Sequence, residues 1–264
     1  LTGFLASFPE SDANEFEWLQ YFRKTPSLFF IGLFYTLGLW IDDLVIWFSS
    51  LGIEVYDSFR FAPIYDNAIF LSYLTIIPTM ILFMVSLETR FYETYRKCYE
   101  LMGQNGTLEQ INSAKQVMNR AVYSQIASVM EVQVIISLTL IVLSRDLFSA
   151  VNAPVLLSEI FRITTLGALL NAFLLIIILV LLYFEARLQA LVSALLFVVL
   201  NGSLTLILLP LGENVFGLGY FISSLVAFLA SFFMLWLFLK DIVFHTFFSQ
   251  KLFQKPTLHW TEKM

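Results

Sequence analysis

A chain of 264 residues that is 59% hydrophobic and only 13% charged, with a mean hydropathy of +0.80, departs from the soluble globular balance of roughly half apolar and about a quarter charged residues. The formal charge of −5 is modest and spread along the chain, which gives no reason to invoke nucleic acid. A single cysteine, Cys98, excludes an internal disulfide, and no paired Cys or His spacing suggests a structural metal.

The first stretch, residues 1–27, begins at Leu1 and resembles a cytoplasmic or interfacial connecting segment more than a signal peptide. The aromatic and apolar Phe16, Trp18, Leu19 and Phe22, beside Glu10, Asp12, Glu15 and Glu17, predict a short helix lying at the membrane interface. Such a segment suits the C-terminal part of something longer.

Residues 28–239 then supply six apolar runs long enough to cross a bilayer. They are Leu28 to Trp47, Ala68 to Leu87, Ala127 to Leu143, Ile163 to Phe184, Ala190 to Leu211 and Phe216 to Leu239. A hydrocarbon core about 30 Å thick needs roughly 20 residues of helix at about 1.5 Å each. The runs lack period-2 alternation, which argues for helices and against a barrel. The expected fold is an all-α polytopic membrane protein.

The longest connection, Glu88 to Ile126, reads as a helical hairpin. Phe91, Tyr92, Tyr95 and Tyr99 recur at helical spacing, Gly103 suits a helix stop, and Asn105-Gly106 signals a turn. Thr107 and Gln110 fit a capping box that starts a helix running toward the third crossing. Asn105-Gly106-Thr107 also matches a glycosylation sequon, which a cytoplasmic position makes a chance match. Residues 240–264 form a tail mixing aromatics with His245 and lysines.

Basic residues set the direction. Twelve of the 15 Lys and Arg fall in the N-terminal segment, the second and fourth connections and the tail, and three in the other connections. Because basic residues near helix ends stay in the cytoplasm, both termini are expected inside.

Charged groups within spans are costly and usually face a cavity, a partner or the bundle interior. Thr36, Trp40, Asp43 and Trp47 share one helix face, and Tyr35, Gly38 and Asp42 the adjoining one. Aromatic rings with carboxyl and hydroxyl groups can stack on a sugar ring and bond its hydroxyls. Alternatively, Asp42 and Asp43 sit at the outer end of the first span, where they meet water and Trp47 anchors the interface. Glu131, in the inner part of the third span, lines a path, pairs with a base or reaches the interface. Asn171 in the fourth span and Asn201-Gly202-Ser203 in the fifth interrupt apolar runs as ligand contacts or as interhelical packing. Pro78 removes a backbone donor and can kink the second span.

Catalytic readings find little support. The two histidines, His245 and His259, both lie in the tail, and no metalloprotease, nucleophile-elbow or phosphate-loop motif is present. The chain does not read as an enzyme and calls for no cofactor.

Five stretches carry a family resemblance: Gly32 to Ser49, Ala62 to Asp66, Glu88 to Tyr95, Gly106 to Ile111 and Val243 to Gln250. In this order they resemble the Pel exopolysaccharide transporter family, PelG. Where that family often reads Y-N-L-G followed later by Asp and a basic residue, this chain has Thr36 and Asp43, so the carry-over is to Asp42. The resemblance implies a flippase-like transporter of two lobes, of which this chain supplies the C-terminal one. It implies a substrate rich in N-acetylgalactosamine and partners comprising a cytoplasmic glycosyltransferase and companion membrane proteins.

Export is thus the leading expectation, with Tyr35, Trp40, Asp42, Asp43, Glu131 and Asn171 along the substrate path. The alternatives are a scaffold that recruits the glycosyltransferase through Phe91, Tyr95 and Tyr99, or a flippase of drugs or lipid-linked oligosaccharides.

Overall fold

The computed structural model describes residues 22, 24–49, 52–56, 59–86, 92–103 and 106–240. The interfacial helix expected around Phe16, Trp18 and Leu19, the residue Phe91 and the tail beyond Lys240 lie outside the described residues.

Six helical segments among the described residues are long and apolar enough to span a bilayer. Helix α1 covers Pro26–Trp47. Its proline occupies the first turn, where a missing N–H leaves no intrahelical bond unmade. A two-stranded antiparallel hairpin follows, β1 at Ile53–Tyr56 and β2 at Phe59–Phe61. The apolar pattern alone did not foresee this hairpin, because its strands are too short to stand out.

The second crossing is split into α2, Pro63–Leu74, and α3, Ile77–Ser86. It starts earlier than hydropathy predicts, at Pro63 rather than Ala68, because Tyr65 and Asp66 are absorbed by partners inside the fold. The break falls at Thr75 and Ile76, whose N–H groups turn back to Ser72 and Tyr73. Pro78, one residue inside α3, cannot donate to Leu74, so the interruption sits where its ring and missing N–H require it.

Helix α4, Tyr92–Gly103, and α5, Leu108–Ala150, form the expected hairpin. The Thr107 hydroxyl accepts from the Gln110 N–H at 3.3 Å, and the Gln110 side chain accepts from the Thr107 N–H at 3.0 Å. This reciprocal capping box satisfies two donors that the helix itself leaves orphaned. Helix α5 is continuous for 43 residues, about 65 Å at 1.5 Å per residue, so it crosses the bilayer and projects well beyond it.

Helix α6, Val155–Tyr183, begins eight residues before the expected Ile163. Glu159 and Arg162 interrupt the apolar run but not the helix, and the Arg162 Nε donates to the Ser144 hydroxyl at 2.7 Å. Helices α5 and α6 both end in Schellman turns. In the second, Glu185 adopts φ +58°, with Ala186 N–H bonded to Leu181 O and Glu185 N–H to Leu182 O. Helix α7, Arg187–Leu208, leads through two short 3-10 turns to α8, Leu218–Lys240.

Helix α6 is the central element of the bundle, contacted by α2, α5, α7 and α8, while α1 packs along α7. Two glycines permit the closest approaches. A Cβ on Gly38 of α1 would lie 2.5 Å from the Phe197 ring of α7, and one on Gly167 of α6 would lie 2.5 Å from the Tyr220 ring of α8. Small residues serve membrane bundles in this way because lipid offers no hydrophobic drive between helices, leaving close packing and hydrogen bonds to hold them.

Candidate functional site

The polar residues within the spans converge on a junction of α1, α2 and α7. Asp42 is completely buried. Its Oδ2 accepts from the Tyr65 hydroxyl at 2.5 Å, and its Oδ1 accepts from the Asn201 Nδ2 at 3.1 Å. The same amide donates to the Gly38 carbonyl at 2.9 Å, and the Thr205 hydroxyl donates to Asn201 Oδ1 at 3.4 Å. Both carboxyl oxygens of Asp42 are therefore engaged by neighbouring helices. The Tyr73 hydroxyl of α2 adds a bond to the Leu39 carbonyl of α1 at 3.0 Å.

Asp43 is also buried, yet its Oδ1 has no hydrogen-bond partner. The C-terminal end of α1 is closed by Asp66 instead: the Trp47 indole donates to its Oδ1 at 2.9 Å and the Ala62 N–H to its Oδ2 at 3.0 Å. A void of about 10 Å³, bounded by Ile46, Thr205, Phe216 and Gly219 among others, lies one turn beyond Asn201. That volume approaches what a single water needs.

A second cross-link lies one helix away. The Tyr35 hydroxyl donates to Asn171 Oδ1 at 2.7 Å, tying α1 to α6, while the Asn171 Nδ2 has no partner. Ser72 of α2 meets Thr164 and Thr165 of α6 at 2.7 and 3.2 Å between hydroxyl oxygens.

The structure thus divides the path residues expected from the sequence. Tyr35, Asp42 and Asn171 are interhelical ties within the bundle. Trp40 is 52% exposed, on the side of α1 that faces away from the other helices. The face containing Thr36, Trp40, Asp43 and Trp47 is split: its first two residues are exposed, while α2 and the Asp66 cap cover the other two. Glu131 is exposed on α5 and takes no part in the Asp42 junction.

Tyr73 and Tyr220, phenols within apolar spans, did not stand out in the sequence, and Tyr65 was noted only within the Ala62 to Asp66 stretch, before the second span. Tyr220 is completely buried edge-on against Tyr73, with centroids 6.0 Å apart. A search for hydroxyls on the faces opposite Asp42 would have drawn attention to Tyr65.

The aromatic stripe of the hairpin has a definite neighbour. Tyr95 and Tyr99 lie 4.3 Å apart, and Tyr95 meets Tyr183 edge-on at 5.0 Å and Phe184 at 5.8 Å. The stripe expected to receive a partner is therefore packed on the chain's own α6–α7 turn. Beneath it the Cys98 thiol is fully buried, and burial pushes its pKa up to about 11 against the opposing pull of Lys115. Lys115 donates to the Lys240 carbonyl, and the Asn119 Nδ2 to the Leu239 carbonyl at 3.3 Å, so α5 caps the end of α8.

Neither a curated protein nor a solved structure matches the chain. A family model does match, over residues 1–247, and its description is "PelG: Putative exopolysaccharide Exporter (EPS-E)". With six long apolar helices among the described residues and a match over nearly the whole sequence, the chain is a multi-pass membrane protein that belongs to the PelG family of exopolysaccharide exporters.

Proposed function

We propose that this chain exports a Pel-type amino-sugar polymer across the bacterial inner membrane as one lobe of a two-lobed transporter, polymerisation being the work of a partner glycosyltransferase. The observation that carries this reading is the match to an exopolysaccharide exporter family on a chain with six membrane spans. The basic-residue asymmetry supports cytoplasmic termini, with residues 1–27 joining the lobes, 28–239 forming the lobe and 240–264 the tail.

Within this reading the exposed side of α1, with Thr36 and Trp40, faces the polymer, and the buried ties of Tyr35, Asp42 and Asn171 hold that side in place. A neutral polymer needs stacking surfaces and hydrogen-bond acceptors rather than counter-charges, and an exposed Trp among lipid-compatible residues offers the first of these. Glu131, exposed on α5, supplies an acceptor, while the buried Asp43 does not face the polymer.

The test is secretion in cells that lack the native gene and carry variants. Thr36→Ala combined with Trp40→Ala, both on the exposed side of α1, is expected to lower extracellular polymer, detected with a lectin for N-acetylgalactosamine, while membrane insertion is retained. Unchanged secretion in that variant rejects the path-lining role.

A second reading, a scaffold for the glycosyltransferase, is favoured by one observation. Two open grooves of about 440 and 450 Å³ run along the projecting part of α5, with Lys97, Gln110, Gln116 and Arg120 at their margins. On this reading Arg120→Glu releases the enzyme from membranes, and undiminished co-purification removes these grooves as its docking place.

A further inference from the structure

At the end of the bundle opposite the α4–α5 hairpin, the β1–β2 hairpin is amphipathic across its two faces. Its register pairs Ile53 with Phe61, Glu54 with Arg60, and Tyr56 with Phe59, with an irregularity between Glu54 and Tyr56. Directly paired residues share a face and successive residues of a strand alternate. One face therefore carries Ile53, Tyr56, Phe59 and Phe61, and the other Glu54 and Arg60. The apolar face is open: Tyr56 is 81% exposed, Phe59 78%, and Ile53 53%. Arg60 is half-buried with its Nε fully covered, and β2 packs on α1.

Glu54, on the other face, is exposed as well, so the hairpin offers an open aromatic face beside an open charged one, a division that water on both sides does not select. The hairpin's position identifies what selects it. It joins two membrane-crossing helices, leaving α1 six residues before Ile53 and entering α2 two residues after Phe61. Strands this short span about 13 Å at 3.3 Å per residue, so the hairpin stays beside the ends of the two helices it joins. Trp47 and Phe48, the latter 71% exposed, continue the apolar surface of α1 up to the hairpin. Among the described residues of the face, the Tyr56 hydroxyl is the one polar side-chain group. Rings with an apolar body and at most one polar tip are the side chains that populate the membrane–water boundary.

We propose that the β1–β2 hairpin is an interfacial membrane anchor, its Ile53, Tyr56, Phe59 and Phe61 face seated at the boundary between lipid headgroups and acyl chains. The assignment is independent of what the protein exports. It makes the hairpin a float that fixes the level at which the outer ends of α1 and α2, and the Asp42 junction one turn below, sit in the bilayer.

The experiment uses the full chain in phosphatidylcholine vesicles. Single cysteines replace Tyr56, Phe59 or Glu54 in a Cys98→Ser background, each labelled with an environment-sensitive fluorophore. The expected result is that lipids with nitroxides near the headgroup quench the labels at 56 and 59 at least about twofold more than the label at 54, with aqueous iodide showing the opposite order. Equal access of iodide to all three positions overturns the proposal and makes the face a water-side platform for polymer. Protection from both quenchers also overturns it and assigns the face to a protein. Because Cys98 is buried, the same labels in the native Cys98 background give a second reading should Cys98→Ser impair folding.

Discussion

Helix α1 is tied into the bundle by polar side chains, whereas α4 of the hairpin docks on it through aromatic rings. Around Asp42 the ties are a carboxyl, a phenol and an amide from three helices. Around Tyr95 they are stacked and edge-on rings from the hairpin and the α6–α7 turn. Each region uses the interaction that its solvent leaves strong. In lipid, apolar contact brings no gain over lipid contact, so hydrogen bonds and close packing decide which helices meet. In water, burying rings is itself the driving force.

The largest effect is expected at Asp42. Asp42→Ala strands the Tyr65 hydroxyl and one donor of Asn201 in a dry interior, at a cost of about 3 kcal/mol, read as loss of resistance to unfolding in detergent titration. If Asp42→Ala unfolds at the wild-type midpoint, the polar junction does not hold α1. Next comes Gly38→Ala, whose new methyl meets the Phe197 ring. We expect about 2 kcal/mol of destabilisation, substantially recovered by adding Phe197→Leu. Failure of the second change to rescue the first would place the clash elsewhere.

The hairpin should respond more weakly and more locally. Tyr95→Ala is expected to loosen docking by about 1 kcal/mol and to speed alkylation of Cys98 several-fold, with little change in global unfolding. Equal loss of both would make hairpin and bundle one cooperative unit.

A pH effect follows at the same place. Cys98 has its pKa raised from 9.0 to about 11 in the folded chain. Between those values the unfolded thiol loses its proton while the folded one keeps it, so the folded hairpin is destabilised as pH rises through this window and is unaffected below it. Protease cleavage within the hairpin should accelerate above pH 9 in the native chain and not in Cys98→Ala. The smallest change is expected for Asp43→Asn, about 0.5 kcal/mol or less, because Asp43 Oδ1 makes no hydrogen bond. A loss comparable to that of Asp42→Ala would show that the two aspartates act together.

Much of the fold was legible because its signals are local. Twenty apolar residues in a row, a Thr and a Gln three apart, and a glycine after an aromatic helix are each read within a few residues of chain. The junction was legible only in part. Asp42 drew notice as a carboxyl in an apolar run, but its partners Tyr65 and Asn201 are 23 and 159 residues away. Which of many hydroxyls and amides reaches it depends on helix rotation and crossing, which no local pattern encodes. The same holds for Tyr95, whose ring found the turn at Tyr183 rather than an open surface. At Arg162 the difficulty was of another kind: hydropathy counts a charge as the end of a span, while one hydroxyl from a neighbouring helix was enough to carry it.

Helix α5 gives the molecule a lever arm. It is gripped near its middle, where the Thr79 hydroxyl donates to Gln133 and Gln133 donates to Ser137, and a rotation of about 10° at that pivot would swing the Leu108 end through about 6 Å, given 1.5 Å per residue. That end also holds the last carbonyls of α8 through Lys115 and Asn119. Torque applied to the hairpin would therefore reach the end of α8 directly.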